Sequence, residues 1–85
     1  MSTPKEISDT LRQFVQTEIL GDETSVSYTE DLLGDGVIDS LGIMRIVAHI
    51  ESEYKFGVPP EDVTIEHFST LDAMGRYIAN KQTQI

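Results

Sequence analysis

The stretch Ser40-Leu41-Gly42-Ile43-Met44-Arg45-Ile46-Val47-Ala48-His49-Ile50-Glu51-Ser52-Glu53-Tyr54 decides the fold class. Ile43, Ile46, Val47, Ile50 and Tyr54 recur at helical spacing and form one core stripe. Asp39 or Ser40 supplies the N-cap. Lys55-Phe56-Gly57 ends the helix, and Pro59-Pro60 forbid its continuation. Leu41, Met44, Arg45, Ala48 and Ser52 fall on a second face, which the core stripe leaves to solvent.

Upstream, Ile7, Leu11, Phe14 and Val15 make an apolar stripe at i, i+4, i+7 and i+8. With Pro4 at its start and Gly21 as its stop, the pattern predicts a helix over about 4–20. Residues 21–39 have no sustained period but carry Val26, Tyr28, Leu32, Leu33, Val37 and Ile38. A connection this long in a small domain is functional or disordered. The spaced apolar residues predict a loop tied down onto the core, and so a candidate site.

Downstream, Thr64 caps a short helix, Ile65–Phe68, whose two apolar residues are expected to plug the core. Ser69-x-x-Asp72 reads as a variant capping box. The last helix carries Leu71, Met74, Gly75 and Ile78 on one face through about Asn80, leaving 81–85 as a disordered tail. Gly75 in mid-helix costs roughly 1 kcal/mol against Ala, which marks a close helix–helix approach. No segment alternates as a strand does. The expected fold is all-α: a small four-helix bundle of three longer helices and one short one, with a long loop between helices one and two. Residues 1–85 then form a single domain with its core at about 4–80.

Composition removes several function classes. Six basic residues against fifteen acidic ones give a net charge of −9, which repels nucleic-acid phosphates and anionic membranes. No apolar run exceeds three residues, so no bilayer span or signal-peptide core is expected. The absence of cysteine excludes disulfides, thiolate metal sites and a cysteine nucleophile, and fits a cytoplasmic location.

Catalytic constellations are missing. His49 lies nine positions after Ser40, about 13 Å along a helix axis, beyond reach as its general base. Nothing near His67 completes a triad, so both histidines read as structural or surface residues and the chain as no enzyme. Asp31 to Gly42 mimics an EF-hand loop with Gly36 at the sixth position. However, Leu33 and Gly42 occupy the third and twelfth positions, where oxygen ligands belong. No metal site is expected.

Gly36-Val37-Ile38-Asp39-Ser40-Leu41-Gly42 remains. A serine here opens an amphipathic helix after a long ordered loop. Asp39 and Ser40 are both good caps, so one is redundant for capping. A helix N-terminus also stabilises a phosphate ester through its unpaired N–H groups and dipole. Ser40 is therefore suited to carry a phosphodiester-linked group while remaining exposed.

With these residues the chain resembles the acyl and peptidyl carrier proteins of the phosphopantetheine-binding family, stand-alone type. Asp39-Ser40-Leu41 matches the attachment motif. The loop around Asp31-Leu32, the run Ile50-Glu51-Ser52-Glu53-Tyr54 and the segment Pro60-Glu61-Asp62-Val63 follow the family order over about 4–80. The resemblance implies a 4′-phosphopantetheine arm on Ser40, moved from coenzyme A by a phosphopantetheinyl transferase. It implies an acyl or aminoacyl cargo held as a thioester, exchanged with a loading enzyme and with downstream processing enzymes, and a monomer. Leu41, Met44, Arg45 and Ala48 would form the partner face. Many fatty-acid carriers are acidic there, whereas Met44-Arg45 and His49 interrupt the face here. That departure leans toward a dedicated carrier of secondary metabolism, or of an amino-acid-loading system, rather than general fatty-acid synthesis. Two other readings stay open: a helical interaction module without a prosthetic group, and a divalent-ion binder using the Asp31–Asp39 loop.

Overall fold

Thr3 and Glu6 close the start of the first helix reciprocally. The Thr3 hydroxyl accepts the Glu6 N–H at 3.2 Å, and the Glu6 carboxylate accepts the Thr3 N–H at 2.9 Å. This capping box, with Pro4 in the first turn, sets helix α1 at Pro4–Phe14. The computed structural model describes residues 3–21 and 25–83. Helix α2 spans Ser40–Tyr54, α3 spans Ile65–Phe68 and α4 spans Leu71–Thr83, with a 3₁₀ turn at Pro60–Asp62. No strand occurs among the described residues.

The expected first helix of 4–20 is present but not uniform. Val15–Ile19 is a π turn, closed by the Leu20 N–H on the Val15 carbonyl at 2.9 Å. The Thr17 hydroxyl donates to the Gln13 carbonyl at 2.9 Å, a side-chain bond that competes with the regular ladder. Val15 is buried on the core, and Ile19 and Leu20 pack against it.

From residue 25 onward the long loop is held as its apolar punctuation predicts, while 22–24 lie outside the described residues. Val26, Leu32 and Ile38 are buried, with Tyr28, Leu33 and Val37 packed beside them. Its backbone is also pinned. Arg12 Nε donates to the Val26 carbonyl at 2.7 Å, and the Val26 N–H donates to Gln16 Oε1 at 3.1 Å. The Leu32 N–H reaches the Ser69 carbonyl at 2.8 Å, and the Asp72 N–H reaches the Tyr28 carbonyl at 3.0 Å. These bonds satisfy backbone groups that burial would otherwise leave unpaired.

Helices α1 and α4 approach closely at Gly75. A Cβ there would stand 2.3 Å from Ser8 Oγ and 2.6 Å from the Pro4 carbonyl oxygen. Ser8, itself buried, donates to the Leu71 carbonyl at 3.0 Å across the same seam.

Three expectations about the C-terminal half need correction. Thr70, not Ser69, caps α4: its hydroxyl accepts the Ala73 N–H at 3.0 Å, and its carbonyl accepts the Met74 N–H at 3.1 Å. Helix α4 continues past Asn80 to Thr83, so 81–83 is not a disordered tail. Lys81 Nζ lies 3.4 Å from Asp62 Oδ2, which ties the last turn to the 3₁₀ segment. Residues 84–85 of the expected tail lie outside the described residues. Finally, Phe68 is fully buried but Ile65 is 72% exposed, so only one of the two plugs the core.

Candidate functional site

Asp39, in extended backbone, is the N-cap of α2. Its Oδ1 accepts the Gly42 N–H at 2.9 Å, and its carbonyl accepts the Ile43 N–H at 3.0 Å. Ser40 is thereby the first helical residue. It is exposed, and its hydroxyl makes no hydrogen bond among the described residues. Of the two candidate caps, Asp39 does the capping and Ser40 is spare. The free N–H groups and positive dipole end of α2 lie beside that hydroxyl, an environment suited to a phosphodiester.

Gly42 explains how the loop closes onto the helix. A Cβ there would meet Ile38 Cγ2 at 2.6 Å, so only glycine lets Ile38 pack across the first turn. Gly36 at φ +73° turns the chain two residues before Ile38.

Ser40 opens onto a groove of ≈ 270 Å³. Leu33 of the loop and Ile43 and Met44 of α2 form one side. Val63, Thr64, Ile65 and Phe68 form the other. Among the described residues the large hydrophobic side chains left exposed are Leu41 at 72%, Met44 at 61% and Ile65 at 72%, and Met44 and Ile65 line this groove. Leu41, Met44, Arg45 and Ala48 are all exposed, as the second stripe of α2 predicts.

Sequence reasoning missed the α3 wall of the groove. Ile65 begins a four-residue helix, and one turn is too short for periodicity to define a face. The segment under that wall is clamped in place. Glu51 Oε2 accepts the Val58 N–H at 2.8 Å. The Tyr77 hydroxyl donates to Asp62 Oδ2 at 2.7 Å. This bond, with help from Lys81, holds the Asp62 carboxyl below the usual carboxylate range. Burial, reinforced by Asp62, pushes the Tyr77 hydroxyl well above its usual value.

Neither histidine hydrogen-bonds to Ser40 among the described residues. His49 stacks on Phe14 with ring centres 4.0 Å apart and planes 15° apart, so its ring is turned toward α1 rather than along the exposed stripe of Leu41, Met44, Arg45 and Ala48. His67 packs on Tyr77 at 4.8 Å. In the EF-hand-like loop, Asp31 Oδ1 accepts the Gly34 N–H at 2.8 Å and Asp39 caps α2. Both carboxylates are engaged with backbone. Among the described residues no group of three or more His, Cys, Asp or Glu side chains is placed to hold a metal.

The family model for the phosphopantetheine attachment site matches residues 6–78, most of the chain. The chain belongs to the phosphopantetheine attachment family. This carrier is 31% identical to the acyl carrier protein of Thermotoga maritima over 95% of its own length and 98% of that protein. It is also 29% identical to a D-alanyl carrier protein of Streptococcus suis, over 79% of its own length and 84% of that protein. The chain is a carrier protein, not an enzyme, and its prosthetic group is covalent 4′-phosphopantetheine. The geometry around Ser40 fits such a group: an unengaged hydroxyl at a helix start, an anion-favouring backbone and an apolar groove alongside. No helix among the described residues is long and apolar enough to cross a membrane.

Proposed function

We propose that Ser40 is the attachment serine of the Asp39-Ser40-Leu41 motif. On this reading residues 1–85 form one carrier domain that presents an acyl or aminoacyl group to partner enzymes. The observation that carries it is the division of labour at the start of α2. Asp39 satisfies the helix cap, leaving the Ser40 hydroxyl exposed and unengaged beside the groove. When bound, the arm supplies a terminal thiol that holds cargo as a thioester, which gives a cysteine-free chain its thiol chemistry. The chain's own residues orient the attachment point and present the surface around it. A phosphopantetheinyl transferase, an acyl- or aminoacyl-loading enzyme and downstream acyl-processing enzymes would meet Leu41, Met44, Arg45 and Ala48.

The finer reading is a monomeric cytoplasmic carrier dedicated to one specialised pathway rather than to general fatty-acid synthesis. The exposed Arg45 in mid-face supports the choice of a secondary-metabolism or amino-acid-loading pathway. Intact mass after incubation with coenzyme A, magnesium and a broad-specificity transferase tests the attachment site. One 4′-phosphopantetheine should be added to the wild type and none to Ser40→Ala. Labelling of Ser40→Ala, or none of the wild type, overturns the assignment.

A further inference from the structure

Resting on that reading of Ser40, we propose that Arg45 selects the partner class. It favours enzymes that place a carboxylate against α2 and disfavours those that place a lysine or arginine there. The chain carries fifteen acidic residues, yet none lies between Ser40 and Ile50, and Arg45 is the one formal charge in that run. The Asp39 carboxylate just before it is engaged by the Gly42 N–H.

Arg45 is not used by the fold. Lys5 pairs with Asp9, Lys81 pairs with Asp62, and Arg12 is bonded to Val26 and Ser25. Arg45 is exposed and has no ion pair or hydrogen bond among the described residues. It follows Leu41 by four residues and Met44 by one, so it sits about 6 Å along the axis from Leu41 on the same face.

An enzyme that reaches Ser40 by covering Leu41 and Met44 also strips water from Arg45. A carboxylate opposite it offsets that desolvation; a cation opposite adds repulsion. The net charge of −9 draws basic enzymes from a distance, so discrimination against them must arise at contact. Arg45 is the residue placed to supply it.

The test uses a broad-specificity phosphopantetheinyl transferase with a basic residue at its carrier-docking surface, and its charge-reversed Glu variant. Each is assayed on the wild type and on Arg45→Glu, with folding checked by circular dichroism. With the basic enzyme, Arg45→Glu should lower KM about two- to fivefold, the range of exposed ion pairs. With the acidic variant it should raise KM by a similar factor. Both shifts should fade in high salt. Shifts of the same sign for both enzymes, or none, overturn the role of Arg45 while leaving Ser40 as the attachment site. Failure of every pairing to add mass overturns both.

Discussion

Asp39 accepts the Gly42 N–H at 2.9 Å, and this one bond frees Ser40 from capping α2. On the proposed reading, stability and modification fall to adjacent residues. Asp39→Ala removes the cap and should cost about 1 kcal/mol, lowering the melting temperature by about 4–8 °C for a domain of this size. Ser40→Ala should melt within about 0.5 kcal/mol of the wild type while refusing the prosthetic group. Thermal melts paired with intact mass read both effects. A large loss of stability in Ser40→Ala would mean that its hydroxyl also serves the fold.

Gly75→Ala reports on the α1–α4 seam. Alanine favours a helix over glycine by about 1 kcal/mol, so an exposed site would gain stability. Here the new methyl meets Ser8 Oγ at 2.3 Å and the Pro4 carbonyl oxygen at 2.6 Å. Overpacking should win, with a net loss of about 1–3 kcal/mol in urea unfolding. Adding Ser8→Ala should recover only part, because the backbone oxygen of Pro4 cannot move aside without shifting α1.

The two apolar residues of α3 should behave oppositely. Phe68→Ala empties a fully buried site and should cost about 3–5 kcal/mol. Ile65→Ala changes a residue that is 72% exposed and should stay within about 0.5 kcal/mol. Chemical denaturation of the two variants gives a direct comparison. Equal losses would place Ile65 in the core after all.

Leu41→Glu and Met44→Glu should leave the melt of the domain nearly unchanged, since both side chains are mostly exposed. Each should slow transfer to an enzyme that covers the start of α2, because a few apolar anchors dominate small interfaces. Steady-state loading rates beside circular dichroism melts decide it. Unfolding would contradict the exposed placement; normal loading would put the docking surface elsewhere.

Tyr77 links stability to pH at both ends of the scale. Asp62 has a lowered pKa in the fold, chiefly through the Tyr77 hydroxyl. Its contribution is present above the ordinary carboxylate value and is lost as pH falls through the lowered one, from about pH 4 downward. The Tyr77 hydroxyl has a raised pKa, first from burial and then from Asp62. Its contribution is present below the ordinary tyrosine value and is lost as pH rises beyond about 10. Tyr77→Phe should therefore flatten the fall in melting temperature in both windows. An unchanged profile would mean that the Asp62–Tyr77 bond is not maintained in solution.

The amino-acid order by itself determined much of the site. The stripe of Ile43, Ile46, Val47 and Ile50 placed the core face of α2, and all four are buried. Its complement placed Leu41, Met44, Arg45 and Ala48 in solvent. Gly75 announced a close approach, and the apolar residues of the long loop announced that it is pinned. These features are local or periodic: they depend on backbone geometry and on which side of an element is apolar.

Tertiary structure decided the rest. Periodicity marks an apolar residue but does not say whether another element covers it, so Ile65 and Phe68 read alike until packing buried one and exposed the other. The groove beside Ser40 joins Leu33, Met44 and Ile65 from three segments, and no local pattern encodes that meeting. The end of α4 depends on Asp62, nineteen residues before Lys81 in sequence, reaching it across the fold. Asp39 and Ser40 are equally good caps by type. The extended backbone at Asp39, with Ile38 packed over Gly42, aims the Asp39 carboxylate at the helix and leaves the serine free.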